Sequence, residues 1–246
     1  ADLLLSFALL GLFPLIAKFV VGFIRRRKVY AGWQKPEHFD YNLLVIGGGS
    51  AGLVSAYIAA AVKAKVALIE KHKMGGDCLN TGCVPSKALI RAARAAHEVR
   101  TASRFGVHAG EPRIDFADVM AHVHEAIAKV APHDSAERYT QLGVDVIEAQ
   151  ATLESPWVVR AGERRLTARH VVIATGARPR LPELPGLENV EVLTSENLWA
   201  LDTLPERLAI LGGGAIGCEL GQSFDMRFTF SFVMFEESNR CLETFN

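Results

Sequence analysis

The 246-residue sequence predicts an α/β protein with a largely parallel sheet, and three observations carry that prediction. Short apolar runs of strand character alternate with longer stretches of helical period. Two of those runs end in glycine-rich turns, Gly47–Gly52 and Gly212–Gly217, each opening into a helical stretch. Half the residues are apolar and 22% are charged, which excludes a disordered or collagen-like chain. The 27 basic and 27 acidic residues cancel, but residues 1–28 hold five Lys/Arg against one Asp. The remainder carries the balancing negative charge and shows no nucleic-acid footprint. Four cysteines are too few for a disulfide-built secreted scaffold of this size.

In chain order, Leu3–Ile24 is the first element, with 17 of 22 residues apolar. At 1.5 Å per residue it reaches about 33 Å, enough for a bilayer core, and reads as a transmembrane anchor over residues 1–28. Arg25, Arg26, Arg27 and Lys28 follow at once, so the positive-inside rule places the rest of the chain on the cytoplasmic side of the inner membrane. Residues 29–40 read as a linker. Tyr41–Ile46 has the character of a buried strand, followed by an Ala-rich helix to about Lys63 and a second strand, Val66–Ile69. Helical period returns over Val84–Arg104 and over Phe116–Val130, the latter behind an N-cap at Asp115. Val144–Leu153, Trp157–Arg160 and Leu166–Ala174 read as strands, Pro179, Pro182 and Pro185 as a stiff connector, and Leu208–Leu211 as another short strand. The expected division is a first nucleotide-binding domain over 41–205 and the start of a second over 206–246.

The first turn, Gly47-Gly48-Gly49-Ser50-Ala51-Gly52, is a G-x-G-x-x-G between strand and helix. Gly47 permits the tight turn, Gly49 lets backbone approach a pyrophosphate, and Gly52 lets helix pack on strand. The helix N-terminus presents N–H groups and a positive dipole end to phosphates. Glu70, 23 residues after Gly47 at the end of the next strand, is placed to accept hydrogen bonds from ribose hydroxyls. Gly212, Gly214 and Gly217 repeat the pattern, with Glu236 24 residues after Gly212 as a candidate ribose acid.

Between them lies Gly75-Gly76-Asp77-Cys78-Leu79-Asn80-Thr81-Gly82-Cys83-Val84-Pro85-Ser86-Lys87. Cysteines five apart on an ideal helix are about 7.5 Å apart along the axis, beyond the usual disulfide separation. A bridge needs a distorted first turn, and Gly82 and Pro85 permit one. A helix N-terminus also depresses a thiol pKa. Buried thiols or half a zinc site are the bland alternatives, and no second Cys/His pair follows at zinc-like spacing, so no metal site is expected.

Residues 41–225 resemble the pyridine nucleotide-disulfide oxidoreductases, the group of dihydrolipoamide dehydrogenase, mercuric reductase and glutathione reductase. The run Gly75–Lys87 matches that family's active-site signature, and Val171–Pro179 matches a second flavin contact through Thr175 and Gly176. The resemblance implies a glutathione reductase-like FAD domain followed by the start of an NAD(P) domain. It implies FAD contacts from Gly47, Gly49, Ser50, Ala51, Gly52, Glu70, Lys71, Gly76, Lys87, Ala151, Thr175 and Gly176, and NAD(P) contacts from Gly212, Gly214 and Gly217. By the same resemblance Cys78 meets the substrate, Cys83 faces the flavin, Lys87 stabilises reduced flavin and Glu219 pairs with Lys87. The implied substrate is a small disulfide or dithiol, or a metal ion.

After Phe224 the composition departs from the family, with six of the 13 Phe in residues 224–246, and a frameshifted or misassembled gene end competes with the reading of Glu236 as a ribose acid. The chain is expected to end before the family's dimer-forming domain and its His-Glu base, so a homodimer is implied for the family rather than for this chain. The first helix resembles the last helix of a DedA-like membrane domain. A flavin-binding membrane module without catalysis, or an inactive gene fragment, is the competing expectation.

Overall fold

The computed structural model describes the backbone of residues 2–225, 232–235 and 241–245, and side chains within residues 13–225 other than 15 and 26. The first helix, α1 (Asp2–Tyr30), runs on two residues past the basic cluster and carries Pro14 inside it. Among the described residues, no helix is long and apolar enough to cross a membrane, so the predicted spanning anchor is not found there. The described part of α1 nevertheless leaves Phe13, Ile16, Phe19, Phe23 and Ile24 exposed. Its end is tied to the body of the protein by Tyr30, whose ring stacks on Trp157 at 5.1 Å.

A parallel sheet follows. Strand β1 (Tyr41–Ile46) leads through the first glycine turn into α2 (Ser50–Ala61) and back to β2 (Val66–Glu70), which lies parallel beside it. The apolar runs of both strands are covered on two faces, leaving Leu44, Val45, Leu68 and Ile69 buried. Each such side chain contributes about 1.5–3 kcal/mol by leaving water. Helix α3 (Gly76–Asn80) and helix α4 (Cys83–Thr101) come next, then α5 (Phe116–Val130) and α6 (Ala136–Gln141). Asp115 caps α5 as expected, accepting from the N–H groups of Ala117 and Asp118.

Strand β3 (Val144–Glu148) joins β2 in parallel, and β4 (Ala151–Ser155) and β5 (Val158–Ala161) form an antiparallel meander with β6 (Arg164–Ile173). The sheet order is β3-β2-β1-β6-β5-β4. The single strand expected over Val144–Leu153 is therefore two strands in different ladders. The break has a local cause: the Ala149 N–H donates to the Glu70 carbonyl at 2.9 Å, and the chain then leaves β2. Strand β6 serves both ladders, pairing β5 through Arg164–Thr167 and β1 through Ala168–Ile173.

Strand β7 (Ala209–Leu211), helix α7 (Ala215–Phe224), β8 (Phe232–Phe235) and β9 (Cys241–Phe245) form the last unit, with β7 and β8 parallel. Helices α4, α5 and α7 share one cluster through Leu89, Phe116, Met120, Val123 and Phe224, joined by Leu198, Trp199 and Leu204 from the connector. Glu236 lies outside the described residues.

Candidate functional site

Strand β1 sits between β2 and β6, because the chain runs outward through β2 and β3 and later returns to the other side of β1 as β6. In an open α/β sheet this is where a ligand crevice opens, at the carboxyl ends of the strands. Gly47 ends β1 at φ +108°, and a Cβ there would lie 2.2 Å from the Ala174 carbonyl oxygen. At Gly52 an added Cβ would lie 1.8 Å from the Gly47 carbonyl oxygen. Both positions thus admit only glycine, one for its turn and one for helix-on-strand contact. Gly49 is different, since its Cβ would meet nothing nearer than Gly76 Cα at 3.7 Å. No side chain caps α2 and no acid stands in its first turn, so the N–H groups of Ser50 and Ala51 are free to face an anion.

Glu70 ends β2 with its carboxylate turned toward this turn. Its carboxylate accepts from the Gly48 N–H through Oε2 and from the His72 N–H at 2.8 Å through Oε1. Lys71 follows and is exposed. On the other side, the loop after β6 brings Gly176 so close that a Cβ on it would stand 3.8 Å from Asp77 Oδ2. The Ala174 N–H donates to the Ile46 carbonyl at 2.8 Å, which keeps Thr175 beside the Gly47 turn. Ala151 opens β4, the edge strand two places beyond β6, and pairs with Ala161.

The cysteine segment is clamped onto the glycine turn. The Gly75 N–H donates to the Gly48 carbonyl at 2.9 Å, and Gly49 and Gly75 form an isolated parallel bridge. Helix α3 starts there and is pinned by Asn80, whose Nδ2 donates to the carbonyls of Met74 (3.0 Å) and Gly76 (2.8 Å). The helix then breaks at Thr81–Gly82, and α4 begins at Cys83. The cysteines therefore do not share a distorted helical turn; they face each other across a break between two helices. The break is what overcomes the ideal-helix separation, bringing Gly82 so close that a Cβ on it would lie 3.7 Å from Cys78 Cα.

One expectation is reversed. The Cys83 thiol pKa is pushed up, first by its hydrogen bond with Cys78 and then by desolvation and the charge on Cys78. Lys87, one turn further along α4, and a backbone hydrogen bond pull the other way but do not prevail. The helix N-terminus alone was a poor guide because the neighbouring thiol acts at shorter range. Cys78, Cys83 and Cys218 are free thiols, with Cys83 exposed and Cys78 half-buried.

Lys87 Nζ meets Glu219 Oε2 at 2.9 Å, the pairing the resemblance implies, with both side chains largely open to solvent. Glu219 lies on α7, directly behind the second glycine turn. There Gly212, Gly214 and Gly217 recur between β7 and α7, and a Cβ on Gly217 would lie 2.3 Å from the Gly212 carbonyl oxygen. Among the described residues no group of three or more His, Cys, Asp or Glu could hold a metal ion.

Two contributors escape the sequence reading. Trp199 donates its indole N–H to the Thr81 carbonyl at 2.9 Å, from 118 residues along the chain. Asp77 approaches the loop after β6. Neither belongs to a local pattern, because both contacts exist only once distant segments have packed.

Taken together, the geometry defines a class: a dinucleotide-binding type of fold with two cysteines on helices tied to its first glycine turn and a second such turn one ion pair away. Residues 41–246 match the profile of the pyridine nucleotide-disulphide oxidoreductases, and the chain belongs to that family, whose members are FAD-binding enzymes dependent on NAD(P)H. The mercuric reductase of Bacillus cereus is 33% identical over 209 residues, covering 85% of this chain and 33% of that protein. The mercuric reductase of Streptomyces lividans is 40% identical over 198 residues, covering 76% of this chain and 41% of that one. A dihydrolipoyl dehydrogenase of Bacillus subtilis (strain 168) is 34% identical over 221 residues, covering 83% and 46% respectively. Among solved structures, the HOCl-induced flavoprotein disulfide reductase RclA from Escherichia coli superimposes with a TM-score of 0.68 at 28% identity, covering 82% of this chain and 43% of that chain. The chain thus spans a third to just under half the length of these relatives.

Proposed function

We propose that this chain is the nucleotide-binding and dithiol-bearing portion of an FAD-dependent disulfide oxidoreductase of the mercuric reductase or dihydrolipoamide dehydrogenase type. One observation carries the reading: Cys78 and Cys83 stand on either side of the break between α3 and α4, and α3 is tied to the first glycine turn where the Gly75 N–H donates to the Gly48 carbonyl at 2.9 Å. The residues around that turn suit FAD. Gly49 leaves room where backbone must approach a diphosphate, the first turn of α2 offers unpaired N–H groups, and Glu70 stands at the end of β2. Bound FAD supplies the two-electron step that returns the disulfide to the dithiol at the expense of NAD(P)H.

The chain's own residues account for the thiol chemistry. The Cys78 thiolate attacks one sulfur of an acceptor disulfide and releases the other as a thiolate. Cys83 then attacks the Cys78 sulfur, displacing the second acceptor thiol and leaving the Cys78–Cys83 disulfide, so two electrons pass to the acceptor. Lys87 holds positive charge next to Cys83, and Glu219 holds Lys87 toward the second glycine turn. In this reading residues 41–205 form the FAD domain and 206–246 begin the NAD(P) domain. A thiol-binding metal ion is a second substrate class, supported by relatives that are mercuric reductases and by the Cu(II) complex of RclA. Attachment of α1 to a membrane belongs to the same reading, supported by its exposed apolar side chains and the basic run at 25–28. Fractionation without detergent reads it, and an equally soluble full chain overturns it.

Thiol titration tests the core of the proposal. Reduction of the oxidised chain is expected to release two thiols, assigned by mass to Cys78 and Cys83. No gain at those positions ends the redox reading.

A further inference from the structure

We infer that Trp199 is a positioning residue for the Cys78–Cys83 pair, acting through the hydrogen bond from its indole Nε1 to the Thr81 carbonyl. The inference rests on the redox reading of that pair. Trp199 lies in the short turn Leu198–Ala200 and is 6% exposed. Its N–H is shared between two acceptors, the Ser195 and Thr81 carbonyls, each at 2.9 Å. The Ser195 bond closes the turn on itself and would by itself satisfy a buried indole. The Thr81 bond does something else, since it reaches into the segment between the two cysteines.

Thr81 is the residue where α3 stops, at φ −139° and ψ 2°. Its N–H still donates back to the Asp77 carbonyl at 2.9 Å, while its own carbonyl has turned out of the helix toward Trp199. On the far side the Ser86 N–H donates to the Gly82 carbonyl at 2.9 Å and starts α4. The break is thus held at both edges by backbone bonds and at its centre by the indole. The ring lies in the same buried cluster as Leu89 and Met120, and the Trp199 carbonyl accepts from His124 Nε2 on α5 at 3.0 Å. A rigid frame of α4 and α5 therefore reaches the dithiol loop through one side-chain N–H.

Holding Thr81 fixes the two cysteine-bearing helix ends relative to each other and raises the effective concentration of one thiol at the other. Losing the bond lets the break relax, which disfavours the disulfide relative to the separated thiols. The experiment measures the equilibrium of the full chain with glutathione. Cys78 and Cys83 give up two electrons and two protons to form their disulfide, and one glutathione disulfide becomes two glutathiones. Trp199→Phe fills most of the same space without the donor and is expected to lower that equilibrium constant about tenfold, or about 30 mV. Benzothienylalanine at position 199 replaces only the N–H by sulfur and is expected to do the same, which covers the case where Trp199→Phe does not fold. Leu204→Ala opens space in the same cluster without touching Thr81. It is expected to lower the unfolding midpoint and leave the constant within twofold. The inference is overturned if the donor-free variants stay within twofold of the parent, or if Leu204→Ala shifts the constant as far as they do. A parent chain that forms no Cys78–Cys83 disulfide at any glutathione ratio overturns the redox reading as well.

Discussion

The two glycine turns share a sequence pattern and differ in everything around it. The first is enclosed: Gly47 abuts the Ala174 carbonyl, the Gly48 N–H donates to Glu70, and the Gly75 N–H donates to the Gly48 carbonyl. At Gly212 and Gly214 of the second, no atom of a described residue lies within 4 Å of an added Cβ. Both turns need positive φ at their first glycine, +108° at Gly47 and +100° at Gly212. The same letter in the same motif therefore answers to a neighbour in one place and to the backbone alone in the other. A motif states which conformation is required, and the surrounding fold decides how severe the requirement is.

The strongest test of that contrast is the pair Gly47→Ala and Gly212→Ala. The second pays for left-handed backbone alone, about 1–2 kcal/mol. The first adds an overlap with backbone that cannot swing away, for a total of about 2–5 kcal/mol. Urea unfolding of both variants measures it, and equal losses would mean that enclosure of the first turn is irrelevant to stability.

A smaller effect is expected where the turns communicate. Lys87 and Glu219 join them at 2.9 Å, but their side chains are 62% and 42% exposed. A double-mutant cycle with Lys87→Met and Glu219→Gln is expected to give a coupling of about 0.2–1 kcal/mol that shrinks in high salt. A coupling of several kcal/mol, insensitive to salt, would show the pair to be desolvated in solution.

The smallest effects distinguish the two units by pH. Asp40, just before β1, accepts from the N–H and hydroxyl of Thr167, and these bonds hold its carboxyl below the usual range. Asp225, just after α7, has its carboxyl pushed up by desolvation, with Arg100 opposing. The Asp40 contribution is complete above the ordinary carboxylate pKa and is lost as pH falls through the lowered value. The Asp225 penalty is complete above its raised value and is relieved as pH falls through it. Asp40→Asn is accordingly expected to destabilise at neutral pH and Asp225→Asn to stabilise, each by less than about 1 kcal/mol, with both differences vanishing in acid. Thermal melts across pH 3–7 check the two signs.

Much of this was legible beforehand, for reasons visible in particular residues. The glycine turns, Glu70 and Lys87 belong to patterns a few residues long whose chemistry is local, and the Lys87–Glu219 contact was recoverable from resemblance alone. The helix break was half legible, since Gly82 and Pro85 announced irregularity without saying that two helices would result. The split of residues 144–153 into β3 and β4 was hidden because both halves have strand character and only the Glu70 carbonyl marks the division. The raised Cys83 pKa and the Trp199 bond depend on neighbours supplied by folding, at 5 and 118 residues' separation. Among the described residues no helix is long and apolar enough to cross a membrane, so the expected spanning helix is not found there.

Strand β6 has a consequence for how this sequence can vary in length. Its ten residues serve an antiparallel ladder and then a parallel one without interruption. Side chains alternate faces at every residue, so adding or deleting one residue inside it inverts one ladder against the other. Leu166, which faces the core beside β5, and Ala168, which does so beside β1, cannot both stay inside after such a change. The turn at Gly162, where an added Cβ meets only the Ala149 side chain at 3.7 Å, has no such constraint. Insertions and deletions are therefore admissible at the hairpin and forbidden a few residues later, and a single codon gained within 164–173 is more damaging than several gained at 162–163.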